Sequence, residues 1–246
     1  MNYYFNVSLE FNHQIFYNKI DETIMKKNKG YVCVVDANVL TIAQNDLQYR
    51  DVLNSSIVNT CDGSSIAFLA SLIHKKKFRA LNGPDIFAHY IEKNYKQLLL
   101  GSAAEISNTI KNILESKNID SSHLHVMPLP FLSVEDFNYL SIAKEINEIN
   151  PDIIWVSLGA PKQELFMQKL MPYLARGVMF GIGAAFRFYL GDFGMPKINI
   201  RGLKFIWLNR LFHEPKKVIK RAIPAILIIP RLYLEEKIRY KKLNNS

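Results

Sequence analysis

Short apolar runs and helix-spaced apolar positions alternate along most of this chain. The runs are apolar on consecutive positions, as in strands buried on both faces, and they occupy residues 31–35, 57–61, 97–100, 123–127, 153–158 and 178–183. Between them, apolar residues recur every three or four positions, which is typical of amphipathic helices. This alternation predicts an α/β fold with a largely parallel sheet flanked by helices.

Three further core segments have weaker patterns. Residues 5–7 form a possible short edge strand, a single helix fits residues 39–53, and apolar spacing predicts another helix over residues 135–149. These segments complete the pattern of the predicted core without changing the fold class.

The pattern changes near Gly194, after which no strand-like run is found. Two helices are predicted there, over 201–213 and 215–240, the second interrupted by Pro224 and Pro230. We therefore divide the chain into a catalytic core, residues 1–193, and a helical C-terminal appendage, residues 194–246.

Three predicted strands end in small-residue turns that lead into helices. The clearest joins the strand at Ile153 to a helix near Lys162 through Gly159, Ala160 and Pro161. The other two follow Leu100 and the 178–183 strand. Such turns leave backbone N–H groups unpaired at the positive end of a helix dipole, where a phosphate is well accommodated.

The positive charge is concentrated at the C-terminal end. The chain has a net charge of +9, and from residue 216 onward nine Lys or Arg face two Glu, a net +7. A basic tail indicates a polyanionic partner, either a membrane or a nucleic acid. The apolar piece 222–229 is too short to span a bilayer, so two interpretations stay open: a helix in the membrane interface, or a helix docked on the core.

Several chemistries have no sequence support. The chain contains no D-x-D, no H-x-x-E-H and no H-E-x-x-H, and the pair His123/His125 in a predicted strand is interpreted as structural, so neither a metal nor a cofactor is expected. Cys33 and Cys61 lie in apolar runs and are interpreted as reduced core residues. No signal-peptide pattern opens the chain, which predicts a cytoplasmic location.

Six motifs together resemble, in order and spacing, the WecG/TagA/CpsF glycosyltransferases, glycosyltransferase family 26. They are CDGSS (61–65), RALNGPDIF (79–87), LLLGSAAE (98–105), SLGAPKQE (157–164), GIGAAF (181–186) and WLNRLFHEP (207–215). The resemblance implies a Rossmann-like core and an appendage that reaches the membrane and helps to cover the active site. It also implies inverting, metal-independent transfer of a sugar, often N-acetylmannosamine, from a UDP-sugar to a polyprenyl-diphosphate-linked acceptor.

The resemblance also assigns candidate residues. It places the catalytic carboxylate, a candidate general base, at Asp62 and a core arginine at Arg79. The substrate-binding candidates, from the motifs and the turns, are Asp36, Asn38, Asn82, Gly83, Gly101, Ser102, Gly159, Ala160, Pro161, Lys162, Gln163, Glu164, Gly183, Arg210, Lys217, Lys220 and Arg221.

This chain departs from the family pattern at several of these positions. Asp36 stands where the family usually has Thr, and Lys217 and Lys220 stand where it has Arg. These changes concern the donor sugar more than the reaction class.

The expected setting is the inner face of the plasma membrane, where a peripheral enzyme meets its lipid acceptor and anionic lipid. A homo-oligomer is possible. Two alternatives come from other classes: a nucleic-acid-binding protein that uses the basic tail, and an NAD-dependent oxidoreductase. The tail lacks interleaved aromatic residues, so nucleic acid is not an expected partner. The motif GIGAAF has Phe186 at the third glycine position of the dinucleotide fingerprint, so the oxidoreductase is disfavoured.

Overall fold

A computed structural model describes residues 3–102, 104–183, 185–191, 199–200, 203–204 and 215–244, with side chains outside the description at 104, 199–200, 203–204, 215–222 and 243–244. Its centre is a six-stranded parallel sheet in the order β4-β3-β8-β7-β5-β6. The strands are β3 (Lys29–Val35), β4 (Val58–Cys61), β5 (Gln97–Leu100), β6 (Leu124–Met127), β7 (Ile153–Val156) and β8 (Gly177–Gly181). The predicted α/β class and parallel sheet are confirmed.

Helices cover both faces of this sheet. They are α1 (His13–Met25), α2 (Ala37–Asn45), α3 (Leu47–Asn54), α4 (Ser64–His74), α5 (Gly83–Ile91), α6 (Ala104–Ser116), α7 (Tyr139–Ile149), α8 (Lys162–Leu170), α9 (Ala185–Tyr189) and the C-terminal helix (Pro215–Asn244). A 3₁₀ turn, Met171–Tyr173, follows α8. Alternate strand residues feed two apolar clusters, one on each face, because successive strand side chains point to opposite sides.

Two helix predictions placed the boundaries wrongly. The predicted helix over 39–53 is two helices, because Asp46 has an extended backbone (φ −129°, ψ 108°) and its side chain accepts the Tyr49 N–H to start α3. The helix predicted from residue 135 begins at Tyr139, where the Asn138 side chain caps it by accepting the Ser141 N–H. In both cases a polar cap overrides the apolar spacing.

Short hairpins account for two further differences. The predicted 5–7 strand is a hairpin of β1 (Tyr3–Tyr4) and β2 (Val7–Ser8), with Phe5 and Asn6 in the turn at positive φ. Beyond Gly194, β9 (Asn199–Ile200) pairs with β10 (Leu203–Lys204). The prediction of no strand after Gly194 is therefore wrong, as is an unbroken helix over 201–213.

The C-terminal helix is continuous through Pro224 and Pro230, contrary to the predicted interruption. Both prolines are exposed, so water can hydrate the carbonyl groups that lose a helical partner. The helix packs against α2 and α4, and Ile228 and Leu232 join one of the two core clusters. The division at residue 194 stays a prediction.

Buried Glu236 fixes the carboxyl-terminal half of this helix. Its carboxylate accepts the Phe5 N–H (2.8 Å) and the Arg239 Nε–H (3.0 Å) and lies 2.8 Å from His74 Nε2 at the end of α4. Among the described residues, no helix is long and apolar enough to cross a membrane.

Candidate active site

The carboxyl ends of the six parallel strands form one edge, where most of the predicted site residues meet. On this edge the turns after β4, β5, β7 and β8 each contain a glycine at positive φ: Gly63, Gly101, Gly159 and Gly183. The helix after β3 lies on one face of the sheet, and the helix after its neighbour β8 lies on the other. In parallel α/β sheets, such a change of side is the place where the ligand crevice lies, between the two strand ends.

Asp36 and Asp62 stand side by side at this crevice. Val35 and Cys61 are register partners in β3 and β4, so the residues that follow them are neighbours, and the Asp62 N–H donates to the Val35 carbonyl at 2.8 Å. Both aspartates are half-buried. Asp36 also caps α2, since its Oδ1 accepts the Val39 N–H at 2.7 Å. Asn38 lies in the first turn of α2 and is half-buried.

The segment before α5 brings three more candidates to the Asp62 side of the crevice. The Leu81 N–H donates to the Cys61 carbonyl at 3.0 Å, which ties this segment to the end of β4. Arg79 is exposed, whereas Asn82 and Gly83 are buried. Added to Gly83, a Cβ would lie only 3.3 Å from the Ala185 Cβ, so this position is tightly packed against the start of α9.

A series of hydrogen bonds links the turn after β7 to the protein interior. The Gly159 N–H donates to Gln163 Oε1 (3.1 Å), Gln163 Nε2 donates to Glu164 Oε1 (2.7 Å), and the Tyr49 hydroxyl donates to Glu164 Oε2 (3.0 Å). Gln163 also lies against the end of β8, because a Cβ on Gly181 would be 3.1 Å from its Nε2. The Gln163 side chain thus fixes the turn after β7 against the end of β8.

Glu164 is fully buried, so its carboxylate faces protein groups rather than the crevice. Burial raises the pKa of Glu164 to about 7, and the nearby Asp36 charge acts in the same direction, against the hydrogen bonds from Gln163 and Tyr49. Burial likewise raises the pKa of Tyr49, which keeps its hydroxyl a donor. The structure therefore places Glu164 behind the site.

The β5 turn approaches the β7 turn. A Cβ on Gly101 would lie 3.3 Å from Leu158 Cδ2. Ser102 is buried, and within the described part of the chain its hydroxyl has no hydrogen-bond partner. Ser157 Oγ donates to the Gly183 carbonyl at 3.0 Å and links the turns after β7 and β8.

Lys162, Ala160 and Pro161 begin α8 at the same edge. The Lys162 ammonium donates to the Leu132 carbonyl and lies 5.1 Å from the ring centroids of Phe131 and Phe137. This lysine therefore holds the loop after β6 in the structure.

The remaining candidates belong to the appendage. Lys217, Lys220 and Arg221 lie on the C-terminal helix with side chains outside the description, and Arg210 lies outside the described residues altogether.

Sequence reasoning did not identify Tyr49 and His74. Their partners, Glu164 and Glu236, are 115 and 162 residues away, so no local pattern could have revealed these contacts. Ser157 stood within a recognised motif, but its bond to Gly183 appears only when β7 and β8 lie side by side.

Comparison with known proteins decides the family. The family model described as "Glycosyl transferase WecG/TagA/CpsF family" matches residues 5–243. The chain belongs to this family. It is a WecG/TagA/CpsF-family glycosyltransferase, so neither the nucleic-acid-binding nor the oxidoreductase alternative is needed to explain it.

Relatives of known name are similar over most of their length. The chain is 25% identical to the N-acetylglucosaminyldiphosphoundecaprenol N-acetyl-beta-D-mannosaminyltransferase of Bacillus subtilis strain 168, over 78% of this chain and 75% of the relative. It is 25% identical to the protein of the same name from Bacillus spizizenii (82% and 79%). The Staphylococcus aureus MRSA252 protein of that name is 20% identical (81% and 79%).

Proposed function

We propose that this glycosyltransferase moves N-acetylmannosamine or a related hexose from a UDP-sugar to a polyprenyl-diphosphate-linked acceptor, in the synthesis of a cell-surface polysaccharide. The observation that carries the proposal is the juxtaposition of half-buried Asp62 and Asp36 at the carboxyl ends of the neighbouring strands β4 and β3, beside the change of side between β3 and β8. The names of the relatives supply the sugar and acceptor class.

Asp62 has the chemistry of a general base in this proposal. It accepts the proton of the acceptor hydroxyl, whose oxygen attacks the anomeric carbon while the bond from that carbon to the UDP oxygen breaks. A single displacement of this kind inverts the configuration. The half-buried position at the crevice is suited to the role, because a base must reach substrate while being partly shielded from water.

Positive charge at the edge is suited to the departing diphosphate. Its negative charge grows in the transition state, so donors already in place stabilise that state. Exposed Arg79 and the start of α8 supply such groups from the core. We propose that Arg210, Lys217, Lys220 and Arg221 supply further charge from the appendage, and that no metal is needed.

The length of the C-terminal helix is consistent with this role. Arg221 precedes the Glu236 anchor by 15 positions, about 22 Å along a helix axis, whereas α4 extends only about 15 Å. The helical segment between the Glu236 anchor and the cations near residue 220 is therefore longer than α4.

We also propose that the protein is peripheral on an anionic membrane. Ala225, Ile228, Leu232 and Glu236 form the buried face of the C-terminal helix. Its opposite face is exposed and still largely apolar, with Ile223, Ile226, Leu227, Leu234 and Ile238. A helix that is apolar on both faces and carries Lys at its end fits an interfacial position.

Transfer tests the proposed function directly. Purified protein is incubated with a polyprenyl-diphosphate-linked N-acetylglucosamine and, one at a time, a panel of UDP-hexoses and UDP-N-acetylhexosamines. The products are identified by mass spectrometry. We expect one added N-acetylhexosamine or hexose and release of UDP, with no product when the acceptor is omitted. Free UDP without a glycosylated lipid would indicate a hydrolase and contradict the proposal.

A further inference from the structure

The outer face of α4 is apolar where a surface helix is normally polar. Phe68 and Leu72 are 58% and 57% exposed, although they belong to a helix whose inner face already supplies Ile66 and Ile73 to the core. Their spacing of four places both side chains on one face, one above the other. This face therefore presents two adjacent apolar side chains to the surroundings.

Three exposed lysines directly follow this apolar face. Lys75, Lys76 and Lys77 come directly after α4, which ends at His74, and in the described part of the chain none of them forms an ion pair. The next residue, Phe78, is fixed: its N–H donates to Ser71 Oγ at 2.9 Å and its ring stacks on Phe11 with centroids 4.5 Å apart. The lysines thus form a short loop held at both ends, which presents their charge beside the apolar face.

The position of this face relative to the crevice suggests its use. Helix α4 begins two residues after Asp62, so Phe68 is only about 9 Å along the chain direction from the proposed base. The same helix packs against the C-terminal helix, whose own outer face is apolar. Two neighbouring helices therefore expose apolar side chains bordered by lysine.

We propose that the outer face of α4, formed by Phe68 and Leu72 with Lys75, Lys76 and Lys77, is a second membrane contact that binds an anionic lipid surface. Apolar side chains enter the headgroup region while lysines meet lipid phosphates, which is how interfacial helices bind. Charge complementarity favours lipid over a purely apolar protein partner. The residues of this contact lie in the core, residues 1–193, and the contact does not depend on which sugar is transferred.

The expected strength follows from the charges. A cation close to an anionic surface strengthens binding about fivefold, so three lysines together contribute up to about 100-fold at low salt. Screening reduces this contribution as the Debye length falls to about 8 Å at physiological ionic strength. Loss of the two apolar side chains should weaken binding at every salt concentration.

Vesicle co-sedimentation of the full chain tests the proposal. Vesicles of phosphatidylcholine with 30% phosphatidylglycerol, about one lipid in three as in anionic membranes, are compared with phosphatidylcholine alone across a salt series. One variant combines Phe68→Ser with Leu72→Ser, and another changes Lys75, Lys76 and Lys77 to Ser. We expect each to weaken binding to the anionic vesicles at least tenfold at low salt.

Matched controls change equally exposed residues elsewhere. Met25→Ser with Leu140→Ser removes two apolar side chains that are 73% and 66% exposed on α1 and α7. Lys27, Lys96 and Lys144 changed to Ser remove three exposed lysines from other surfaces. Fluorescence of buried Trp155 during urea unfolding shows whether each variant is folded. Wild-type binding by both α4 variants, or equal loss in the controls, overturns the proposal.

The proposal rests on the membrane setting of the proposed function, but its failure is distinguishable. Transfer to a short-chain, water-soluble acceptor should stay within about twofold of wild type in the α4 variants, because Asp62 and Arg79 are unchanged, whereas transfer to acceptor embedded in anionic vesicles should fall at least fivefold. A wild-type protein that binds vesicles but transfers to neither acceptor would contradict the function alone. If the α4 variants transferred sugar to both acceptors at the wild-type rate, that result would contradict the α4 contact alone.

Discussion

Replacing Glu164 by Gln should change how the stability of this protein depends on pH. Glu164 is fully buried behind the site, and its two oxygens accept hydrogen bonds from Tyr49 and Gln163. Burial raises its pKa to about 7 from an ordinary value of 4.5. A Gln at this position has almost the same shape but does not titrate.

The size and sign of the effect follow from that pKa. The folded state holds the proton more tightly than the unfolded state, so this group stabilises the fold fully below about pH 4.5, and the contribution is lost as pH rises to about 7. A difference of about 2.5 pKa units corresponds to about 3 kcal/mol. Relative to the Gln variant, the wild type should therefore lose about 3 kcal/mol between pH 4.5 and 7 and nothing further above that range.

Urea unfolding followed by Trp155 fluorescence measures this difference. The free energy of unfolding is determined for both proteins at half-unit intervals from pH 5 to 8.5. Titrating groups that do not interact with Glu164 are shared by the two proteins and cancel in the difference. A second variant, Glu135→Gln, changes an exposed carboxylate and is the control for the substitution of Glu by Gln away from the site.

The absolute offset between the two proteins has a separate cause. The Gln amide must turn its NH₂ group toward either Tyr49 or Gln163, so one of the two accepted bonds is lost, at a cost of about 1–3 kcal/mol. This cost applies at every pH and does not alter the slope. A wild-type minus variant difference that stays constant within about 1 kcal/mol from pH 5 to 8 would refute the reasoning, since Glu164 would then be ionised throughout.

The other predictions concern the reaction and the C-terminal helix. Asp62→Asn should lower the transfer rate about 10²- to 10⁴-fold, because an amide cannot accept the proton. The Kd for UDP, measured by calorimetry, should be nearly unchanged. A loss of rate under about threefold would remove Asp62 from the mechanism. Transfer should survive EDTA, and loss restored by Mg²⁺ or Mn²⁺ would instead identify Asp36, beside Asp62, as a ligand candidate. Glu236→Gln should lower the free energy of unfolding by about 2–4 kcal/mol, since it disturbs a buried charge that contacts Phe5, His74 and Arg239. The control Glu235→Gln, on the exposed side of the helix, should lower it by under about 0.5 kcal/mol. Equal effects of the two substitutions would show that the helix is not anchored at Glu236.

Truncation before the C-terminal helix should lower the stability of the protein as well as its activity. A core that ends before residue 201 would expose the surfaces of α2 and α4 that Ile228 and Leu232 now cover. Loss of activity in such a truncated protein would therefore mix lost cations with lost stability. Point variants of Lys217 and Arg221 separate the two, since each removes one cation and leaves Ile228 and Leu232 in place.

Local patterns in the sequence determined the elements and the edge of the sheet that carries the site. Consecutive apolar residues gave six buried strands, and the glycine-containing turns after them placed Gly101, Gly159 and Gly183 at helix starts, because strand burial and turn geometry depend on neighbouring residues. Parallel strands have their carboxyl ends at one edge, so Asp36 and Asp62, each directly after a predicted strand, belong to that edge whatever the strand order.

Only the tertiary structure decided what those residues face. The carboxylate of Glu164 meets Tyr49 across 115 residues and lies behind the crevice, whereas its motif had suggested substrate contact. Glu236, one acid in a basic tail, is an anchor for the C-terminal helix because the β1–β2 hairpin and the end of α4 come together around it. Such contacts depend on how distant elements pack, and neither hydrophobic period nor local spacing carries that information.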